Sequence, residues 1–272
     1  MTTLKTDTAF AGSIPQLYER YLVPLIFEPY AVDLAARVAS RSPSKVLEIA
    51  AGTGVVTRRL AATLPPTTSI VATDLNLAML EEAAAVGTPR PVEWKQADAM
   101  QLPFGDASFD TVVCQFGAMF FPDKAKAFAE TRRVLREGGM LVFNVWDRIE
   151  DNEFADEATR ALARMFANDP PRFLARTPHG YHDPRTIAGD LADGGFAASP
   201  RIDVLTRRSR APSAREPAIA YCEGTPLRGE IEARDASRLG EATDAAAAAI
   251  ATRFGAGAVD GKIQALVVTV SR

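Results

Sequence analysis

At 272 residues with 47% hydrophobic content, this chain is long enough to bury a sizeable core. Its net charge of −3 at pH 7 offers no basic surface of the kind that binds DNA or RNA, so we expect no nucleic-acid partner. No apolar run approaches the ~20 residues that span a bilayer, and the two cysteines, Cys114 and Cys222, are too far apart in sequence to suggest a metal site or a disulfide framework. These features predict a cytoplasmic protein with no stable membrane insertion and no bound metal.

The first periodic segment, Ser13 to Ala36, carries aromatic and aliphatic residues at helical spacing. Pro24 and Pro29 interrupt the pattern, which therefore predicts a broken helix. An aromatic stripe at this spacing belongs more often to a packed core than to a binding site, so a packing helix is the simpler interpretation. The residues that would share the apolar face are Tyr18, Tyr21, Leu22, Leu25, Ile26 and Tyr30.

The stretch Val46 to Thr57, VLEIAAGTGVVT, combines a short apolar run, one acidic residue and a glycine-rich turn. The apolar run predicts a buried parallel strand, and the residues after the turn have the helical period. Gly52 and Gly54 supply backbone that can bend sharply and approach a ligand. Turns of this kind bind nucleotides in several protein classes, and some only pack a helix against a sheet.

Acidic residues follow the next two predicted strands. The second strand, Ser69 to Thr73, ends in Asp74, roughly twenty residues after Gly54, where a carboxylate can accept hydrogen bonds from both hydroxyls of a ribose. The third strand, Val92 to Gln96, is followed closely by Asp98. Such a series at the ends of successive strands is harder to obtain by chance than one loop.

The fourth predicted strand, Asp110 to Cys114, runs into the apolar segment QFGAMFFP, in which glycine and proline predict a loop. A helix capped by Asp123 then reaches Leu135 and ends at the glycine pair 138–139, before a fifth strand from Met140 to Trp146. Strands that alternate with helices predict a parallel sheet with right-handed crossovers. Ligands bind at the carboxyl edge of such a sheet, where the strand order reverses.

Two sequence motifs resemble those of class I S-adenosylmethionine-dependent methyltransferases. Glu48-x-Ala50-x-Gly52-x-Gly54 is similar to the family's E/D-x-G-x-G-x-G motif, with alanine in place of the first glycine. The LPF at 102–104 and the SFD at 108–110 resemble the family's passage into its fourth strand. The resemblance covers about Lys45 to Trp146 and is greatest to the small-molecule branch that includes the ubiquinone and menaquinone biosynthesis methyltransferases.

The resemblance implies an α/β fold: a Rossmann-like, doubly wound, seven-stranded and mostly parallel sheet, with helices on both faces and the last strand antiparallel. It implies that S-adenosylmethionine (SAM) donates a methyl group to an O, N or C nucleophile of a small molecule. Residues 1–40 would form an N-terminal helical lid, and residues 41–272 the methyltransferase domain, with a substrate-cap insertion at about 150–183.

A cofactor site follows from the same resemblance. The family binds the ribose at the position of Asp74 and the adenine amino group at that of Asp98, and it holds the methionine amino group through a backbone carbonyl just after the fourth strand. Tyr18 and Tyr21 of the lid would face the methionine end or the acceptor. The cofactor-binding residues implied are Tyr21, Glu48, Ala50, Gly52, Gly54, Asp74, Leu75, Met79, Asp98, Ala99, Met100, Gln115 and Phe116.

The second half of the chain resembles the family less. An irregular stretch from Pro170 holds both histidines, His179 and His182, either of which could take a proton from an acceptor. Since no acidic partner can be placed beside them, a surface or cap-supporting role is simpler, and no catalytic residue is assigned. The other predicted elements are helices at 152–167, 183–194, after the Ser213/Glu216 capping box and at 244–252, and strands at 201–206 and 263–270.

Two alternatives to a methyltransferase stay open. A SAM-binding protein without catalytic activity would carry the same motifs, because motifs indicate binding rather than turnover. A nicotinamide-dependent oxidoreductase is less favoured, because its fingerprint requires a third glycine where this chain has Thr57. A homodimer is also left open by the sequence.

Overall fold

The computed structural model describes Asp7, Phe10 and residues 12–272. Its strands are β1 (Lys45–Glu48), β2 (Ser69–Asp74), β3 (Glu93–Gln96), β4 (Phe109–Gln115), β5 (Leu135–Trp146), β6 (Arg201–Ala211) and β7 (Val259–Ser271). They form one seven-stranded sheet in the order β3-β2-β1-β4-β5-β7-β6. Pairing from β3 through β5 is parallel, and the last strand is antiparallel. The predicted Rossmann-like α/β fold is therefore confirmed, and the strand order reverses between β1 and β4.

Helices flank this sheet. They are α1 (Ile14–Leu17), α2 (Glu28–Ala39), α3 (Val55–Thr63), α4 (Leu77–Val86), α5 (Lys124–Val134), α6 (Glu153–Met165), α7 (Phe173–Arg176), α8 (Pro184–Asp193), α9 (Arg215–Glu223), α10 (Leu227–Asp235) and α11 (Leu239–Phe254). A π-helical segment, Tyr18–Phe27, joins α1 to α2. None of the helices among the described residues has the length and the continuous apolar run that crossing a bilayer requires.

The chain folds into two compact units, each built from segments that are distant in sequence. The first consists of Met1–Phe27, Trp146–Gly180 and Leu205–Ala265, and the second of Glu28–Val145, Tyr181–Val204 and Leu266–Arg272. Part of the predicted lid, residues 1–6, 8, 9 and 11, lies outside the described residues. The division into a lid, a methyltransferase domain and a cap insertion stays a prediction.

The second unit has its core on the central strands. Val46 and Leu47 of β1 and Val112 and Val113 of β4 are fully buried, because both faces of the sheet are covered here. Burying each such side chain contributes roughly 1.5–3 kcal/mol relative to leaving it exposed. This core fixes the strand ends from which the loops of the carboxyl edge emerge.

In the first unit, the short helix α7 is tied to its neighbours by charge. Arg176 donates from Nη2 to Asp7 Oδ1 at 2.5 Å and to Glu230 Oε1 at 2.7 Å, and Glu230 Oε2 accepts from the backbone N–H of Arg172 at 2.7 Å. Phe173 and Leu174 of α7 are buried. The expectation of an irregular stretch from Pro170 to His182 was wrong in this part, because the apolar residues of α7 pack inward and order the chain.

Two boundary predictions were also wrong. Helical structure continues from Ile14 to Ala39 despite the prolines, because Pro24 lies in the π-helical segment, where hydrogen bonds are rerouted, and Pro29 lies in the first turn of α2. Helix α5 ends at Val134, so the glycine pair 138–139 lies within β5, where the register with β4 shifts. Helix α10 was missed.

Candidate functional site

The turn after β1 is bound to the end of β2. Its backbone is left-handed at three positions, with φ of 53° at Ala50, 57° at Gly52 and 82° at Gly54. The Ala51 N–H donates to the carbonyl of Thr73 at 2.9 Å, and the Gly52 N–H donates to Asp74 Oδ2 at 2.8 Å. Backbone amides and a carboxylate therefore meet at the carboxyl edge of the sheet.

Asp74 is buried, and both of its carboxylate oxygens bond to backbone. Oδ2 accepts from Gly52, and Oδ1 accepts from the Asn76 N–H at 2.8 Å, just before α4 begins; the side chain of Asn76 makes no capping hydrogen bond to α4. Burial raises the pKa of Asp74, and the backbone hydrogen bonds oppose that shift. Each carboxylate oxygen can accept more than one hydrogen bond, so the group retains acceptor capacity for hydroxyls.

Glu48 is buried at the end of β1 beneath the turn. Its Oε2 accepts a hydrogen bond of 2.5 Å from Thr57 Oγ1 on α3. Burial raises the pKa of Glu48 to about 8, although the Thr57 hydroxyl acts in the opposite direction. Sequence reasoning did not assign a role to Thr57 beyond noting that it replaces a glycine. Its hydroxyl is the signal that could have identified it.

Two predicted apolar side chains follow β2, and a third carboxylate follows β3. Met79 is buried against the turn after β1: a Cβ built on Gly52 would lie 3.7 Å from Met79 Cε. Leu75 is instead 52% exposed, an unusual position for a large apolar side chain directly after β2. Asp98 Oδ1 accepts from the Met100 N–H at 2.8 Å, and Ala99 between them is partly exposed.

The segment after β4 has a strained backbone at Phe116, where φ is 50°. The Phe116 N–H donates to Asn144 Oδ1 at 3.0 Å and to the Asn144 carbonyl at 3.1 Å, and the ring packs edge-on against Tyr30 with centroids 5.3 Å apart. Gln115 pairs with Asn144 across β4 and β5. Asn144 is fully buried and was missed, because nothing in its sequence neighbourhood distinguishes it from a strand residue.

Three of the residues predicted from the sequence, Tyr18, Tyr21 and His179, belong to the first unit. The twelve predicted cofactor-binding residues other than Tyr21 belong to the second unit. Tyr21 is partly exposed, with the Arg20 guanidinium 5.1 Å from its ring, and Tyr18 stacks on Phe27 at 4.8 Å. His179 is buried, and its Nδ1 lies 2.8 Å from the carbonyl of Asp147. Because a carbonyl only accepts, Nδ1 carries the proton of this hydrogen bond.

Within the described ranges, no group of three or more histidine, cysteine and acidic side chains could hold a metal ion. The groups described at the carboxyl edge are buried carboxylates, backbone amides and apolar side chains. This set can hold a neutral or cationic organic molecule through hydrogen bonds and charge.

We expect Gly54→Ala to lower the free energy of unfolding by ~2–3 kcal/mol, because alanine is strained at this φ and its Cβ would lie 2.8 Å from Trp94 Cη2. Urea unfolding measures the change. Gly189→Ala is the matched control, since Gly189 lies in α8 with nothing within 4 Å of a new Cβ and alanine favours a helix. Equal stability of the Gly54 variant and the wild type would contradict the packing described for this turn.

Comparison with known proteins agrees with this arrangement. A family model described as a methyltransferase domain matches residues 47–143. The ubiquinone/menaquinone biosynthesis C-methyltransferase UbiE of Saccharophagus degradans is 30% identical over 185 residues, which make up 63% of this chain and 73% of that protein.

Two solved structures share the fold. The YcgJ protein of Bacillus subtilis superposes with a TM-score of 0.56 at 19% identity, covering 90% of this chain and 99% of that chain. A Haemonchus contortus phosphoethanolamine N-methyltransferase 2, in complex with phosphomonomethylethanolamine and S-adenosylhomocysteine, superposes with a TM-score of 0.59 at 16% identity, covering 98% of this chain and 59% of that chain. The chain therefore belongs to the class I S-adenosylmethionine-dependent methyltransferases, is similar among them to the ubiquinone/menaquinone biosynthesis C-methyltransferases, and methylates a small molecule with S-adenosylmethionine as cofactor.

Proposed function

We propose that SAM binds over the turn after β1, with its ribose on Asp74. The observation that supports this most is the pair of backbone hydrogen bonds to the Asp74 carboxylate from Gly52 and Asn76, because they hold a charged acceptor next to the point where the strand order reverses. In this proposal Gly52 and Gly54 allow the cofactor to pass close to the backbone.

The adenine ring would lie beyond the ribose, between the ends of β2 and β3. Leu75 supports this position, because a ring placed there would cover an apolar side chain that is otherwise 52% exposed. Asp98 would accept a hydrogen bond from the adenine amino group. Met79, Ala99 and Met100 would surround the ring.

The methionine end of the cofactor would lie over the ends of β1 and β4. The carbonyl of Gln115 would accept from the methionine amino group, with Phe116 beside the methyl that is transferred. Glu48 and Ala50 would lie below, and Tyr21 would come from the lid. Since SAM carries a positive sulfonium and a positive ammonium group, its arrival favours the ionised form of Glu48.

The acceptor is a small molecule, and we propose that residues 1–40 and about 150–183 act as lid and cap around it. Holding the acceptor nucleophile in line with the methyl group and excluding water can supply most of the acceleration, so no dedicated base is assigned. A chain of net charge −3 is unsuited to nucleic acid. Two buried thiols, not joined in a disulfide, support a reducing cytoplasmic location. A homodimer is compatible with this function.

The function is tested by incubating the purified protein with SAM and panels of small molecules that carry phenol, amine or activated carbon nucleophiles, with S-adenosylhomocysteine (SAH) measured as product. We expect SAM to bind in calorimetry and SAH to form with one nucleophile class. SAM binding without turnover on any panel would favour a non-catalytic SAM-binding protein. Binding of NADH in place of SAM would favour the oxidoreductase and contradict the proposal.

A further inference from the structure

The turn after β1 and the segment after β4 meet at Ala50 and Gly117, and the residue types at these two positions are the reverse of what the backbone prefers. Ala50 has a φ of 53°, in the left-handed region that favours glycine. Gly117 has a φ of −100° and a ψ of −37°, which any residue adopts without strain. Local backbone energetics would place glycine at 50 and alanine at 117.

The space available for side chains explains why alanine is at position 50 and glycine at position 117. A Cβ built on Gly117 would lie 2.5 Å from Ala50 Cβ and 2.8 Å from Cys114 Sγ, both far inside van der Waals contact. Cys114 is buried, so its sulfur has little room to move aside. The methyl group of Ala50 and the sulfur of Cys114 therefore occupy the space that a side chain on Gly117 would need, and Gly117 cannot carry a Cβ while Ala50 keeps its methyl group.

The segment on the other side of this contact is itself held firmly. Phe116, next to Gly117, has its N–H fixed by Asn144, and further along Lys124 Nζ donates to the Phe121 carbonyl at 3.0 Å. A methyl group wedged between two fixed segments sets the distance between them. These segments are the ends of β1 and β4, on either side of the reversal in strand order.

We propose that Ala50 and Gly117 are a positioning pair in which the Ala50 methyl group sets the width of the slot for the methionine part of SAM. This inference rests on the proposed cofactor site. Ala50 takes the place of the first glycine in the family motif, and the role of its methyl group explains that departure. The backbone is strained at Ala50, and the methyl group keeps the two loops at a fixed separation.

The test is a double-variant cycle of Ala50→Gly and Gly117→Ala, with SAM and SAH titrated by calorimetry and urea unfolding of each variant. We expect Ala50→Gly to raise the stability, by removing the strain, and yet to weaken SAM binding about 5-fold. Gly117→Ala should weaken SAM binding at least ~10-fold. The double variant, which moves the methyl group from one side of the contact to the other, should lose less affinity than the two single losses combined, because the contact with Ala50 is removed while the 2.8 Å contact with Cys114 Sγ remains.

A gain in stability together with a loss of SAM affinity in Ala50→Gly indicates a positioning role. If the Ala50 methyl group only packed, stability and SAM affinity would change in the same direction. Losses that add in the double variant would overturn the inference, as would unfolding of Gly117→Ala that Ala50→Gly does not repair. Cys114→Ala is the matched control: rescue of Gly117→Ala by this change and not by Ala50→Gly would assign the contact to the cysteine. A wild type that does not bind SAM would instead contradict the proposed function itself.

Discussion

Asp74→Ala is expected to weaken SAM binding at least ~100-fold, equivalent to about 3 kcal/mol. Two effects combine. The variant loses the charged acceptor that we assign to the ribose hydroxyls, and the N–H groups of Gly52 and Asn76 lose the carboxylate that holds the turn to β2. Calorimetry with SAM measures the combined loss of binding free energy. Unchanged affinity would remove Asp74 from the site.

An analogue of SAH that lacks the ribose 2′-hydroxyl separates the two effects. If Asp74 binds the ribose, the wild type should lose affinity for this analogue relative to SAH, and the Asp74 variant should bind both equally. Asp110→Ala is the matched control, because Asp110 also accepts from backbone N–H groups, those of Ser44 and Lys45, but at the start of β4. It should lower stability and leave SAM affinity within about 2-fold.

Glu48→Gln is expected to change how stability depends on pH, by roughly 3–5 kcal/mol across the neutral range. Between the ordinary carboxyl pKa of 4.5 and the value of about 8 for Glu48 in the folded protein, the folded state holds a proton that the unfolded state has lost. The contribution of Glu48 to the free energy of unfolding therefore falls as pH rises through this window. Above the folded pKa, the destabilisation caused by burying the ionised carboxylate is complete. Glutamine cannot ionise and retains an acceptor for Thr57.

Urea unfolding of the wild type and the variant at about pH 5.5 and about pH 9 measures this effect. We expect Glu48→Gln to be more stable than the wild type at the higher pH, with little difference at the lower one. Parallel pH profiles would mean that Glu48 is ionised in the folded protein at neutral pH. Because SAM is cationic, we also expect its binding to the wild type near pH 7 to release protons, which calorimetry in buffers of different ionisation enthalpy detects.

The parts of the candidate site that local sequence encodes are the strand ends and turns from which its residues come. The glycine turn, the acidic end of β2 and the acidic residue after β3 lie within short segments whose apolar pattern also predicts the strands, so residue type and strand end coincide. The cap of α8 is a similar case: the helix predicted at 183–194 begins where Asp183 accepts from the Arg185 N–H at 2.8 Å, two residues along the chain. These interactions join residues close together in the chain.

The features that the sequence did not predict depend on packing between residues that are distant in the chain. Asn144 holds Phe116 in a left-handed turn, yet the two residues are 28 positions apart and neither is unusual in its own segment. Helical structure continues from Ile14 to Ala39 through two prolines because its apolar residues are buried and because the π-helical segment reroutes the hydrogen bonds around Pro24.

The sequence by itself determined the alternation of strands and helices from β1 to β5 and the acidic residues at the strand ends, because periodicity, glycine turns and caps act over a few residues. Only the tertiary structure decided how the loops meet. It raised the pKa of Glu48 by burial and brought the methyl group of Ala50 against Gly117, since both depend on which distant segments exclude water or occupy space. The substitution of alanine for the family's first glycine is visible in the sequence, but its reason lies in a segment more than sixty residues away, at Gly117.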